Sequence, residues 1–127
     1  MESKLLTPLE LKVMNLLWSQ KQALVKELIA SWPEPDQVPK YNTISTIVRI
    51  LEEKGFVGHE AEGRSHRYFP LISKRKYQKR LIHNVMENVF SGSLTGMVSS
   101  LLDSQRVSPE ELARLKSLID ESEAQGE

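Results

Sequence analysis

Leu9, Val13, Leu16 and Leu17 fall on one stripe of a helix that runs to about Trp18. Its start is marked by Thr7-Pro8-Leu9-Glu10: a hydroxyl able to cap, a proline suited to the first helical position, and a glutamate able to reach back and complete a capping box. Leu6 is placed to staple onto Leu11. After the polar break Ser19-Gln20-Lys21-Gln22, a shorter helix is predicted near Leu24–Trp32, with Leu24, Leu28 and Ile29 inward. Pro33, Pro35 and Pro39 end it and stiffen the connection.

The stretch from Asn42 to Lys54 is dense in β-branched residues and resembles a strand by composition. Its period says helix: Ile44, Ile47, Val48 and Leu51 stand at i, i+3, i+4 and i+7, and Gly55 suits the stop. Asn42, Thr46, Arg49 and Glu53 then point away from the apolar stripe, with Thr43, Ser45 and Ile50 on the flanks. After Gly55 the period becomes two. Phe56–Glu60 and Ser65–Phe69 read as short strands around the turn Ala61-Glu62-Gly63-Arg64, closed by Pro70. Three helices followed by a hairpin is the order of a winged helix-turn-helix.

Helical periodicity returns over Ser73–Phe90, where Tyr77, Leu81, Ile82, Val85, Val89 and Phe90 are apolar. Ser91-Gly92-Ser93 breaks it. Leu94, Met97, Val98, Leu101 and Leu102 give another stripe, and Ser108-Pro109-Glu110-Glu111 is a capping box opening a last helix with Leu112, Leu115, Leu118 and Ile119. Ser122–Glu127 is expected to fray. Three short helices enclose too little volume to bury all these stripes, so a partner surface is needed, most simply a second copy of the chain. The fold class expected is mainly α with a small β-hairpin: a winged helix-turn-helix DNA-binding domain over 1–72 and a helical dimerisation domain over 73–127.

Composition narrows the chemistry. The chain has 127 residues and no cysteine, which excludes disulfides, thiol nucleophiles, thiolate metal sites and iron–sulfur clusters. No apolar run approaches the roughly 20 residues that span a bilayer, and the start Met-Glu-Ser-Lys-Leu-Leu-Thr-Pro has no signal-peptide core. A soluble, cytoplasmic protein without membrane insertion is the expectation. Net charge is zero, but by cancellation: residues 1–72 hold nine cations against nine carboxylates, 73–90 five against one, and 91–127 three against seven.

No catalytic motif is present: there is no His-Glu-x-x-His, no Gly-x-Ser-x-Gly and no phosphate-cradling loop, so neither an enzyme nor a cofactor is expected. His59 and His66 are expected to face each other across the hairpin, where Glu60 or Glu62 could join them on a metal. Solvated polar residues are the simpler account, and no metal is assigned. The helix Asn42–Lys54 carries more specific chemistry. Short hydroxyl and amide side chains approach base edges closely, and an Arg can grip guanine through two hydrogen bonds. Asn42, Thr43, Ser45, Thr46 and Arg49 are therefore the candidate DNA-reading residues, and Arg64, His66 and Arg67 on the wing are candidate phosphate contacts. A winged helix serving as a protein-interaction module is the rival.

Leu6-Thr7-Pro8-Leu9-Glu10, then Val13-Met14-Asn15-Leu16-Leu17-Trp18, then Tyr41 through Phe56, resemble the penicillinase repressor family (BlaI, MecI and CopY type). The likeness continues through Tyr68 into the tail. It implies a dimeric winged-helix repressor of resistance or stress genes, bound to a palindromic double-stranded DNA operator. It puts Asn42, Thr43, Ser45, Thr46 and Arg49 where the family reads DNA. Tyr77, Leu81, Val85, Val89, Leu94, Met97, Val98, Leu101, Leu102, Leu112, Leu115 and Ile119 are the candidate dimerisation residues. Copper-responsive members carry a C-terminal cysteine cluster, which this chain lacks. Members that respond to β-lactams are cut at an Asn–Phe bond, by way of a membrane metalloprotease sensor. The matching place here is Ser100-Leu101.

Overall fold

The computed structural model describes residues 5–126; residues 1–4, the first half of the start read above for a signal peptide, and Glu127 lie outside the described residues. Thr7 and Glu10 open helix α1 (Pro8–Gln20) with the reciprocal box. Thr7 Oγ1 accepts from the Glu10 amide at 3.2 Å and the Thr7 amide donates to Glu10 Oε1 at 2.9 Å. Four residues of α1 are buried: Glu10, Val13, Met14 and Leu17. Leu9 and Leu16, expected inside, are only half-buried, and a carboxylate and a methionine lie deeper than they do.

The second helix is shorter than expected. Ala23–Leu24 form a strand, β1, and α2 spans only Val25–Ala30. Leu24 is buried as a strand residue opposite Arg67, and Trp32 is buried beyond the helix end. The physical reason is non-local: the strand exists only through its pairing with a segment more than 40 residues later, and two residues show no period. The Leu24 amide donates to Glu27 Oε1 at 2.9 Å, so α2 is capped by its own first-turn carboxylate.

Helix α3 (Tyr41–Glu53) buries Ile44, Val48 and Leu51. Gly55, at φ +85°, ends it, with the Phe56 amide on Leu51 O and the Gly55 amide on Glu52 O, the paired bonds of a Schellman stop. Strand β2 (Val57–Glu62) runs further than expected because the turn has only two residues, and β3 (Ser65–Pro70) takes in Pro70, which pairs with Val57. Gly63, at φ +62°, takes the turn's first position, where a II′ turn calls for glycine. The sheet order is β1-β3-β2, all antiparallel.

The chain divides into two compact units, one up to Asn84 and one from Val85. The first was expected to end near Ile72. It continues because helix α4 (Lys74–Asn88) delivers Tyr77 into its core. The Tyr77 ring lies 5.9 Å from Trp18 and 6.0 Å from Phe56, and its hydroxyl accepts from the Leu6 amide at 3.0 Å. Tyr77 is therefore a core residue of the winged unit rather than an interface residue, and Leu81 packs partly against the same core.

In the second unit, α5 (Leu94–Ser104) starts at Ser93, whose hydroxyl accepts from the Gly96 amide. Ser108 caps α6 (Pro109–Gln125) through the Glu111 amide, while the Glu111 carboxylate turns to Arg114 instead of closing the box. Helix α6 runs on to Gln125, so the expected fraying at Ser122 is not seen. Neither α5 nor α6 contains a buried residue. Val98, Leu101, Leu102, Leu115 and Leu118 line an open apolar groove of about 280 Å3.

Candidate nucleic-acid interface

The outer face of α3 is polar because its inner face is fully occupied by Ile44, Val48 and Leu51. Asn42, Thr43, Thr46 and Arg49 are exposed, and Ser45 is half-buried. From Lys40 to Leu51 there is no carboxylate. Thr46 Oγ1 donates to Asn42 O at 2.9 Å and Arg49 Nε to Ser45 O at 3.3 Å. Those bonds lay both side chains along the helix. No ion pair among the described residues involves Arg49.

The wing is held beside this face by ion pairs. Arg67 grips Glu62 with two bonds, Nε to Oε1 at 2.8 Å and Nη2 to Oε2 at 2.9 Å, and reaches Glu27 Oε1 with Nη1 at 3.0 Å. The Glu62 bonds are the main reason its pKa lies above the usual arginine value. Arg67 in turn holds the Glu62 carboxyl below the ordinary range, while Glu27 is lowered first by the Leu24 amide and then by Arg67. Arg67 was expected to meet phosphate; in this structure its guanidinium is occupied by two carboxylates. Arg64, at the turn, is exposed and in no ion pair among the described residues.

His59 and His66 do not sit directly opposite. The register pairs His59 with Tyr68 and His66 with Ala61, so the two rings are diagonal neighbours on one face. They stack at 4.3 Å and 17°. The carboxylate beside them is that of α3: His59 Nδ1 meets Glu52 at 2.8–2.9 Å, whereas Glu62 belongs to Arg67. Among the described residues, no three His, Cys, Asp or Glu side chains are placed to hold a metal. Tyr68 is buried beneath the pair; burial, and then the Glu52 charge, push its hydroxyl pKa up.

At the other end of α3, Lys54 Nζ bonds both oxygens of Glu10, at 3.0 and 2.9 Å, in a site where Glu10 is only 3% exposed. Burial alone would raise the Glu10 pKa, but the Thr7 amide and Lys54 together hold it below the ordinary value. This pair ties the start of α1 to the end of α3 and so fixes α3 against the core.

Two residues beside these were not singled out from the sequence. Tyr41 is 53% exposed in the first turn of α3, and Lys26 stands at the start of α2. Together with Ser45, Arg64, Ser65 and His66 they rim a cleft of about 200 Å3. Tyr41 precedes Ser45 by one helical turn and was within reach of the periodicity. Lys26 has no local signal.

Among the described residues, no helix is long and apolar enough to cross a membrane. The penicillinase repressor family model matches residues 6–121. The chain is 30% identical over 88% of its length to the penicillinase repressor of Bacillus licheniformis, covering 87% of that protein. It is 24% identical over 87% of its length to the methicillin resistance regulatory protein MecI of Staphylococcus aureus, covering 89% of it. The solution structure of the DNA binding domain of the repressor BlaI superposes with a TM-score of 0.51 at 28% identity, covering 60% of this chain and 92% of that domain. A capped α1, an α3 whose outer face is free of carboxylates up to Leu51 and a wing beside it, matched in sequence over nearly the whole chain, make this protein a member of the penicillinase repressor family.

Proposed function

We propose that this transcriptional repressor binds a palindromic operator as a homodimer, with the winged unit reading DNA and the second unit joining the two copies. The observation that carries the reading is the outer face of α3, where Asn42, Thr43, Thr46 and Arg49 are exposed together with no carboxylate before Glu52. Asn42, Thr43, Ser45, Thr46 and Arg49 address base edges, and Arg64 and His66 address the backbone. Dimerisation draws support from α5 and α6, which contain no buried residue and leave Leu94, Leu101, Leu102 and Ile119 exposed. Val85, Val89, Met97, Val98, Leu112 and Leu115 complete that apolar set. Two reading heads must meet major grooves about 34–36 Å apart, or a multiple of that.

The regulated genes belong to resistance or stress responses, in line with the names of the relatives. Release from DNA occurs by cleavage at Ser100-Leu101, under control of a membrane metalloprotease sensor. Both residues are exposed on α5, and a cut there divides an apolar stripe of the proposed interface. Losing the dimer removes the tethering of the two heads.

The test of the reading is a footprint on the protein's own promoter followed by Arg49→Ala. The variant weakens operator binding by about 1–3 kcal/mol and relaxes preference at one base pair, leaving binding to random DNA unchanged. Equal loss on both makes Arg49 a phosphate contact. Absence of any salt-dependent shift on promoter DNA rejects DNA reading in favour of a protein-interaction module.

A further inference from the structure

The cleft between α2, α3 and the wing has an apolar floor and a polar, cationic rim. Leu24, Val25 and Tyr68 form the floor and are buried. Lys26, Tyr41, Ser45, Arg64, Ser65 and His66 form the rim, and all but Ser45 are exposed. Arg67 pairs with both Glu27 and Glu62, and the Lys26 charge also acts on Glu62. Lys26 and Arg64, both on the rim, enter no ion pair among the described residues.

We infer that this cleft seats one sugar-phosphate unit of the DNA backbone, with Lys26, Tyr41 and Ser65 as contacts alongside Arg64. The assignment rests on the DNA-reading function proposed above. Two cations share the rim with the hydroxyls of Tyr41, Ser45 and Ser65, which suits the two free oxygens of a phosphodiester, and an Arg can engage them in pairs. The apolar floor suits the carbon face of a deoxyribose. At about 200 Å3 the cleft exceeds several times the ~30 Å3 of a water, yet is smaller than the roughly 300 Å3 where small-molecule pockets begin. Ser45 belongs to both the cleft and the reading face. A phosphate seated here therefore sets the register of α3 in the groove.

The test uses the full chain and the operator defined by footprinting. Lys26→Ala weakens binding several-fold on operator and random duplex alike, and makes the slope of log K against log salt shallower by about 0.9 for each chain bound. Tyr41→Phe weakens binding with no change in slope, because a hydroxyl releases no counterion. Operators carrying a single uncharged methylphosphonate locate the unit: at one position per half-site the wild type loses several-fold, and Lys26→Ala loses nothing further. Identical methylphosphonate penalties in wild type and Lys26→Ala at every position would overturn the seat. So would unchanged affinity and slope in Lys26→Ala. Inorganic phosphate titrated into the DNA-free chain separates the remaining source. No saturable shift of the Tyr41 and Ser65 amides supports the DNA backbone, whereas saturation below millimolar phosphate assigns the cleft to a free anion and overturns it. A footprint with unaltered Lys26→Ala binding removes the seat alone; no footprint at all removes the DNA reading, and the seat with it.

Discussion

Glu10→Gln isolates the pair that fixes α3. The carboxylate accepts the Thr7 amide at 2.9 Å and Lys54 Nζ at 2.9–3.0 Å. Gln is nearly isosteric, and its amide oxygen keeps the Thr7 bond while its NH2 faces the Lys54 ammonium. The variant thus loses the charge-assisted bonds alone, worth about 1.5–3 kcal/mol. Lys54, 28% exposed at its side chain, recovers part of that in water. A loss of about 2 kcal/mol is expected at pH 7, a large part of a marginal stability. Both tryptophans, Trp18 and Trp32, lie in the winged unit, so urea unfolding followed by tryptophan fluorescence reports this unit. The pH dependence gives the sign. The folded pKa of Glu10 is depressed, so its contribution is fully present above the unfolded value of about 4.3. It fades as pH falls through the lower folded value. The gap between wild type and Glu10→Gln therefore closes on acidification below about pH 4. A gap under about 0.5 kcal/mol at pH 7, or one equally wide in acid, would refute the role given to the pair.

Truncation after Asn84 leaves a winged unit with the urea midpoint of the full chain. Truncation after Ile72 removes Tyr77 and costs about 3–5 kcal/mol, as deletion of a buried aromatic does; equal midpoints for the two would contradict the core position of Tyr77. Leu118→Asp, at a residue 62% exposed on α6, converts a sedimenting dimer to a monomer and lowers operator affinity without shifting the tryptophan-detected midpoint. A wild-type chain that sediments as a monomer at micromolar concentration would reject the dimer.

Much of the DNA-facing architecture was legible along the chain. Thr7, Pro8 and Glu10 announce α1, the Ile44-Ile47-Val48-Leu51 stripe overrides the β-branched composition of α3, and Gly55 and Gly63 mark its stop and the hairpin turn. These signals act between residues one to four apart, where helix period, capping and turn geometry are decided. The same period orients Asn42, Thr46 and Arg49 outward, which is why the polar face of α3 needs no tertiary knowledge.

What only the fold decided depends on residues far apart in sequence. Strand β1 exists because Ala23 and Leu24 meet Tyr68 and Arg67. Arg67, a cation like Arg64 when read along the chain, is withdrawn from solvent by Glu62 and by Glu27, 40 positions away. Glu10 is buried, against the habit of carboxylates, because Lys54 arrives across 44 residues to neutralise it. Tyr77, apolar on a helix that the period alone assigns to the dimer interface, lies in the core because its ring and hydroxyl complete a site made by Trp18, Phe56 and Leu6. Local pattern sets which side of a helix is apolar; the pairing of distant charges and the filling of shared volume decide which polar groups remain free to meet DNA.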